Sequence, residues 1–223
     1  MYEIKETGGA RIGMANATWP FAKLTVNKDT LTLNAGLIGK LVFSPENIIS
    51  IELYNGPGSL FGSGIQINHN VSGYNSKVIF WTSGNSTDLI NKIAQTGFLN
   101  NTGPDTTVPD INMTSAQKQG GFPLKKSATI AIVVIWNLFF LYNFYNVRSF
   151  FIGGKSQSPL GLGAQLALAF MLIICISLLK LEPVRKLVLK EGRSIDDIKS
   201  TVYFIMLICA VMLMATFFFP HAG

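Results

Sequence analysis

Apolar and polar positions follow two different patterns along this chain. Up to about Phe98 they alternate in short runs broken by Gly, Pro, Asn and Asp, and beyond Ser127 the apolar residues gather into long blocks. Alternation with period two marks half-buried strands, and continuous runs of roughly 20 apolar residues mark membrane-spanning helices. The early segments are WPFAKLTV, TLTLNA, KLVFS, IISIELY, GIQIN and KVIFWTS. The turn Asn27-Lys28-Asp29, Gly39, Pro45-Glu46-Asn47 and the polar stretch Val71 to Asn75 separate them. In IISIELY the alternation puts Ile49, Ile51 and Leu53 on one face and Ser50, Glu52 and Tyr54 on the other. A seventh strand has no clear pattern of its own: it lies within ARIGMANA, ahead of Trp19-Pro20, or is absent. The period then lengthens. Asn85 or Ser86 caps a helix with Asp88 in its first turn, Leu89, Ile90 and Ile93 form its apolar face, and Gly97 ends it so that Phe98 folds back on the core.

The late blocks predict three spans, at about 128–147, 160–181 and 201–219. None carries a charge in its middle. Basic residues in the connecting segments set orientation. Lys118, Lys125 and Lys126 precede the first span, Arg148 and Lys155 follow it, and Lys180, Arg185, Lys186, Lys190, Arg193 and Lys199 lie between the second and third. Alternate compartments therefore hold nine and two cations. The expectation is a cytoplasmic N-terminal domain and an outward C-terminus. The polar start MYEIKETGGA, with no apolar run behind it, agrees with that expectation. Five Asn-x-Ser/Thr triplets, at Asn16, Asn70, Asn85, Asn100 and Asn112, are the opposing cue. An Asn- and Thr-rich chain produces such triplets by chance. The aromatic residues from Trp136 to Tyr145 thicken toward the end of the first span, as an interfacial belt does.

Charge follows the same division. The chain's +6 splits into +1 up to Phe98, from seven basic and six acidic residues, and +5 from Leu99 onward, from eleven and six. The excess sits beside the spans rather than on the β-rich half, which argues against nucleic-acid binding. Cys175 and Cys209 fall within apolar blocks and imply neither a disulfide nor a metal site.

Between them, these patterns predict an α+β chain with three parts. Residues 9–98 form a small β-barrel or sandwich with one C-terminal helix. Residues 99–126, rich in Asn, Thr, Gly and Pro, form a flexible linker. Residues 127–220 hold the three transmembrane helices. The motifs TWPFAKLTV, VFSPENIISIELYNG, GIQINHN, KVIFW and the final helix ending TGF resemble those of pleckstrin-homology-like (PH-like) domains. They are most similar to the bacterial PH-like and GRAM-like domains attached to membrane helices. That resemblance covers Gly9 to Phe98 and implies a bacterial inner membrane and binding of membrane lipid or a protein segment. Phosphoinositide-binding members place Lys and Arg around the first strand-to-strand turn. The turn read here as first has Lys23 and Lys28 but also Asp29, which argues against specific phosphoinositide binding.

Chemistry is sparse. His69 in the β-rich half lacks partners for catalysis or metal binding, and His221 stands near the C-terminus. The stretch GPGSLFGSG has neither phosphate-loop spacing. No cofactor is expected. In the loop LEPVRKLVLKEGRSIDDIK, Val184, Leu187 and Val188 recur at helical spacing among cations. The loop reads equally as an amphipathic helix on the anionic leaflet or as a solvated positive loop. Its candidate membrane-surface contacts are Arg185, Lys186, Lys190 and Arg193. Candidate helix-packing residues are Asn137, which could bond across to a neighbour, and Gly163 and Ala167 at small-xxx-small spacing. Gln165, near a helix end, reads as ordinary packing. The expected function is a non-enzymatic, membrane-anchored PH-like binding or scaffold module at the cytoplasmic face, touching the bilayer and a protein partner or a second copy. The alternative is a small oligomeric transport or channel subunit with a cytoplasmic regulatory domain.

Overall fold

The computed structural model describes residues 2–54, 63–101, 113, 116–117, 120–153 and 161–218. The glycine-rich stretch from Asn55 to Gly62, most of the segment between Thr102 and Gln119, Asn112, Lys118, Lys155 and His221 lie outside them. The chain divides into two compact units, Met1–Pro123 with Glu191–Arg193, and Leu124–Lys190 with Ser194–Gly223.

The first unit is a curled, seven-stranded antiparallel half-barrel with an α-helix packed on it. Its strands are β1 (Ile4–Ile12), β2 (Ala15–Val26), β3 (Leu31–Asn34), β4 (Lys40–Phe43), β5 (Ile48–Tyr54), β6 (Gly64–His69) and β7 (Val78–Thr82). They lie in the order β4-β3-β2-β1-β7-β6-β5. The six expected strands are all present, and the seventh, β1, begins before Gly9. Gly8 and Gly9 hide it, because a Gly pair reads as a chain break. Here the glycines serve close packing: a Cβ on Gly8 would stand 2.0 Å from the Trp81 carbonyl oxygen of β7. The ARIGMANA stretch holds the end of β1, the turn at Gly13-Met14 and the start of β2.

The inward side chains form one apolar core. Leu24, Leu33, Phe43, Ile65, Ile67 and Phe80 are fully buried. Helix α1 (Ser86–Gln95) packs over β5, β6 and β7. The Asn85 side chain accepts a hydrogen bond from Thr87 N–H at 2.8 Å, so the expected N-cap is present. Leu89 and Ile93 enter the core, Gly97 takes a φ of +81°, and Phe98 returns fully buried.

Two register irregularities alter which side chains face out. Between Ile48 and Ser50, β5 carries an extra residue, so Ile48 is buried while Ile49 is 68% exposed. Ile49 is therefore solvent-facing; Leu53, in regular register with Ile51, is also exposed, and of the three only Ile51 packs against the core. Between the pairs Gly8–Ala22 and Ala10–Ala17, β2 carries a long bulge from Thr18 to Phe21. Trp19 on it is 64% exposed.

Part of the expected linker is structured within this unit. Gly121 exchanges backbone hydrogen bonds with Lys40 on the outer edge of β4, at 3.3 and 3.1 Å, and Pro123 is buried.

The second unit contains α2 (Lys126–Gly153), α3 (Leu162–Lys180), α4 (Glu182–Val188) and α5 (Lys199–Phe218). Helices α2, α3 and α5 are long and apolar enough to cross a membrane. With 28 residues, α2 is about 42 Å long, more than the roughly 30 Å of a hydrocarbon core. Arg148 thus belongs to α2 and not to the loop after it. Helix α3 packs against both α2 and α5.

Candidate functional site

The basic loop after α3 is built from α4 and the turn that follows it. Pro183 stands in the first turn of α4, where its missing N–H costs nothing. The short helix is real, but its side chains divide differently from the expected stripe. Val188 and Leu189 are buried, Val184 is half-buried, and Leu187 is exposed. Loop and pre-span segment are fastened together: Leu124 bridges Leu189, and Lys125 N–H donates to the Val188 carbonyl at 2.8 Å. The start of α2 and the end of α3 thus share one end of the helical unit. Of the cations there, Lys125 and Lys186 lie side by side, since Lys125 Nζ reaches the Lys186 carbonyl.

The four candidate surface cations have unequal roles. Arg185 turns back on α3: its Nε donates to the Leu178 carbonyl at 2.9 Å and its Nη2 to the Leu179 carbonyl at 3.0 Å. It satisfies two carbonyls that a helix C-terminus leaves open and places positive charge at the negative end of the helix dipole. Lys186 is exposed and pairs with Glu182 at 2.8 Å, one helical turn earlier. That hydrogen bond holds the Glu182 carboxyl below its ordinary pKa and raises the Lys186 ammonium above its own. Lys125 Nζ donates to the Lys186 carbonyl at 2.7 Å. Lys190 is exposed. Arg193 belongs to the first unit, where its guanidinium donates to the Gly121 carbonyl. Arg185 and Arg193 are thus tied to main chain, and the outward group is Lys186, Leu187 and Lys190. The number of cations is written in the sequence, but the direction of their side chains is not. Basic residues just beyond a helix C-terminus were the available signal for Arg185.

The three packing candidates also separate. Gly163 sits where α3 closely approaches α2, since a Cβ there would stand 2.5 Å from both Asn143 N and the Phe139 carbonyl oxygen. Ala167 is fully buried. Asn137 is exposed and donates through Nδ2 to the Val133 carbonyl of its own helix at 2.7 Å, with no cross-helix bond among the described residues. Asn143, which sequence reading passed over, makes the inter-helix bond instead: its Oδ1 accepts from Ala164 N–H at 3.2 Å.

In the first unit, the polar groups serve structure. His69 Nδ1 accepts from Val71 N–H at 3.2 Å, leaving Nε2 to donate to the Asn75 carbonyl at 2.9 Å. Its ring lies 5.0 Å from that of Phe43. Tyr74 packs edge-on to Phe43, its hydroxyl accepts from Val42 N–H at 3.3 Å, and burial raises its pKa. Because β1 precedes the strands expected first, the first hairpin turn is Gly13-Met14 and not Asn27-Lys28-Asp29. Next to it, Arg11 Nε donates to Asn16 Oδ1 at 2.7 Å, and Met14 is 98% exposed. Among the described residues no group of three His, Cys, Asp or Glu side chains could hold a metal ion.

No family model matches this chain, and no curated protein matches it.

Proposed function

We propose that this chain is a membrane-anchored binding or scaffold module, non-enzymatic, whose β unit is PH-like and faces the cytoplasm. The observation that carries the reading is the joining of a β unit with its own sealed core to three apolar spans. No Asp, Glu, Lys, Arg or His occurs within 127–145, 162–179 or 200–218. Ion and proton paths across a membrane are usually lined by such groups, so the helices read as an anchor. The PH-like reading is supported by seven antiparallel strands followed by one helix that inserts Leu89 and Ile93 into the core. Exposed Met14 and Trp19, both on the β1–β2 hairpin, offer an apolar contact for a protein segment. Of the cations beside that turn, Arg11 is already bonded to Asn16, and Lys77, whose carbonyl accepts from Gly13 N–H, is the other; so small a basic group disfavours a phosphoinositide there. The cytoplasmic assignment rests on the nine-to-two division of basic residues. A bacterial inner membrane is the matching location.

Right-side-out vesicles carrying the chain with a tag at each end provide the test. Protease is expected to spare the N-terminal tag and remove the C-terminal one. The reverse pattern would overturn the cytoplasmic reading. In the same membranes, crosslinking is expected to capture a protein with the native chain and to lose it with Trp19→Ala. Equal capture by both would remove the hairpin as the binding surface.

A further inference from the structure

On α2, two stripes of side chains run along opposite faces. Ile132, Trp136, Phe139 and Asn143 are half-buried, and this stripe meets α3 through Gly163 and the Phe139–Phe170 ring contact at 5.8 Å. The other stripe is Ile130, Val134, Asn137, Leu141 and Phe144, every member exposed. Its spacing of four, three, four and three residues is the heptad seam that two supercoiled helices use. At 3.6 residues per turn, Asn137 points about 160° away from Phe139.

A carboxamide on that outer face is costly in hydrocarbon. One Nδ2 hydrogen is used on the Val133 carbonyl, and Oδ1 and the second N–H have no partner among the described residues. Side-chain amides in spans face other helices, because lipid offers no hydrogen bond. We propose that α2 pairs in parallel with α2 of a second copy of this chain, through the Ile130-to-Phe144 seam, with the two Asn137 amides bonding reciprocally. Membrane insertion selects this occupant. Every copy enters with the same orientation, so each Asn137 lies at the same depth and a two-fold axis along the membrane normal brings the two amides together. A single polar residue within a heptad seam fixes register in this way. The pairing depends on α2 spanning the bilayer and not on which side the β unit faces.

The test uses the full chain in its membrane, with oxidative crosslinking of one added cysteine. Cys175 and Cys209 are buried and serve as the common background. Leu141→Cys is expected to give a disulfide-linked dimer. Leu207→Cys, on the exposed face of α5, is expected to stay monomeric under the same oxidation. Adding Asn137→Leu to Leu141→Cys is expected to reduce the dimer, with the dissociation constant in liposomes rising roughly fivefold, whereas Asn137→Gln retains it. Equal crosslinking at positions 141 and 207, or a dimer fraction unchanged by Asn137→Leu, would overturn the proposal. Asn137→Leu makes the span more apolar, so its insertion is preserved and a loss of dimer is not a loss of folding.

Discussion

Gly163 of α3 sits so close to Asn143 of α2 that a Cβ on the glycine would lie 2.5 Å from the Asn143 backbone nitrogen. The Asn143 side chain crosses the same contact to accept from the next residue, Ala164. Glycine is required here for the two backbones to approach. Gly163→Val is expected to force the helices apart and to cost about 1–3 kcal/mol, the usual range for overpacking. Thermal unfolding in detergent would measure the loss, and an unchanged melting temperature would show that the two helices do not rely on this approach.

Arg185 is expected to act through the end of α3. Arg185→Ala should remove two carbonyl partners and destabilise the α3–α4 junction by about 1.5–3 kcal/mol, the range for hydrogen bonds to a charged group. Lys190→Ala should leave stability within about 0.5 kcal/mol, as exposed substitutions usually do. Amide hydrogen exchange around Leu178 to Leu189 would separate the two. Equal exchange in both variants would mean that the guanidinium is not a cap.

Tyr74 gives the β unit a sign-defined alkaline dependence. Burial raises its folded pKa above the ordinary 10.0, so the unfolded chain releases this proton first as pH rises. The contribution is fully present below about pH 10 and is lost as pH climbs through the folded value. Tyr74→Phe is expected to flatten the alkaline limb of the stability curve, measured by denaturant unfolding from pH 8 to 11. It should also lower stability at pH 8, because Val42 N–H loses its acceptor.

Phe98 lies just past the Gly97 that ends α1, yet it is fully buried in the core of the sheet unit. Phe98→Ala is expected to cost about 3–5 kcal/mol. Asn85→Ala, which removes the α1 cap, should cost about 1 kcal/mol. If urea midpoints ranked these two the other way, α1 would be held by its cap more than by its packing.

Much of this architecture could be read from the chain alone, because the largest energetic terms leave periodic marks. A span must fill the bilayer with apolar side chains, so α2, α3 and α5 stand out by length. A half-buried strand must alternate, so β2 to β6 stand out by period, while β7 stands out as a short, almost wholly buried apolar run. Helix α1 was legible through Asn85, Asp88 and Gly97, each placed for a local reason. What stayed hidden involves contacts between distant residues. Strand β1 depends on Gly8 meeting Trp81, and nothing near Gly8 announces that neighbour. The single extra residue after Ile48 reverses the fate of Ile49, and a bulge has no period to detect. The direction of a long cationic side chain is equally silent, which is why Arg185 and Arg193 counted alike with Lys186 and Lys190.

The backbone bridge from Gly121 to Lys40 has a consequence for crowding. A sheet edge with free N–H and C=O groups is a template for another strand. Tethering to a bilayer confines the sheets of many copies to a thin layer, where their effective concentration is far above that in free solution. With Gly121 bonded at the β4 rim and the bulge at Ile48 to Ser50 kinking the β5 rim, neither border presents a long regular ladder to a neighbour. Sheets crowded side by side in that layer are then not templated into a continuous ribbon.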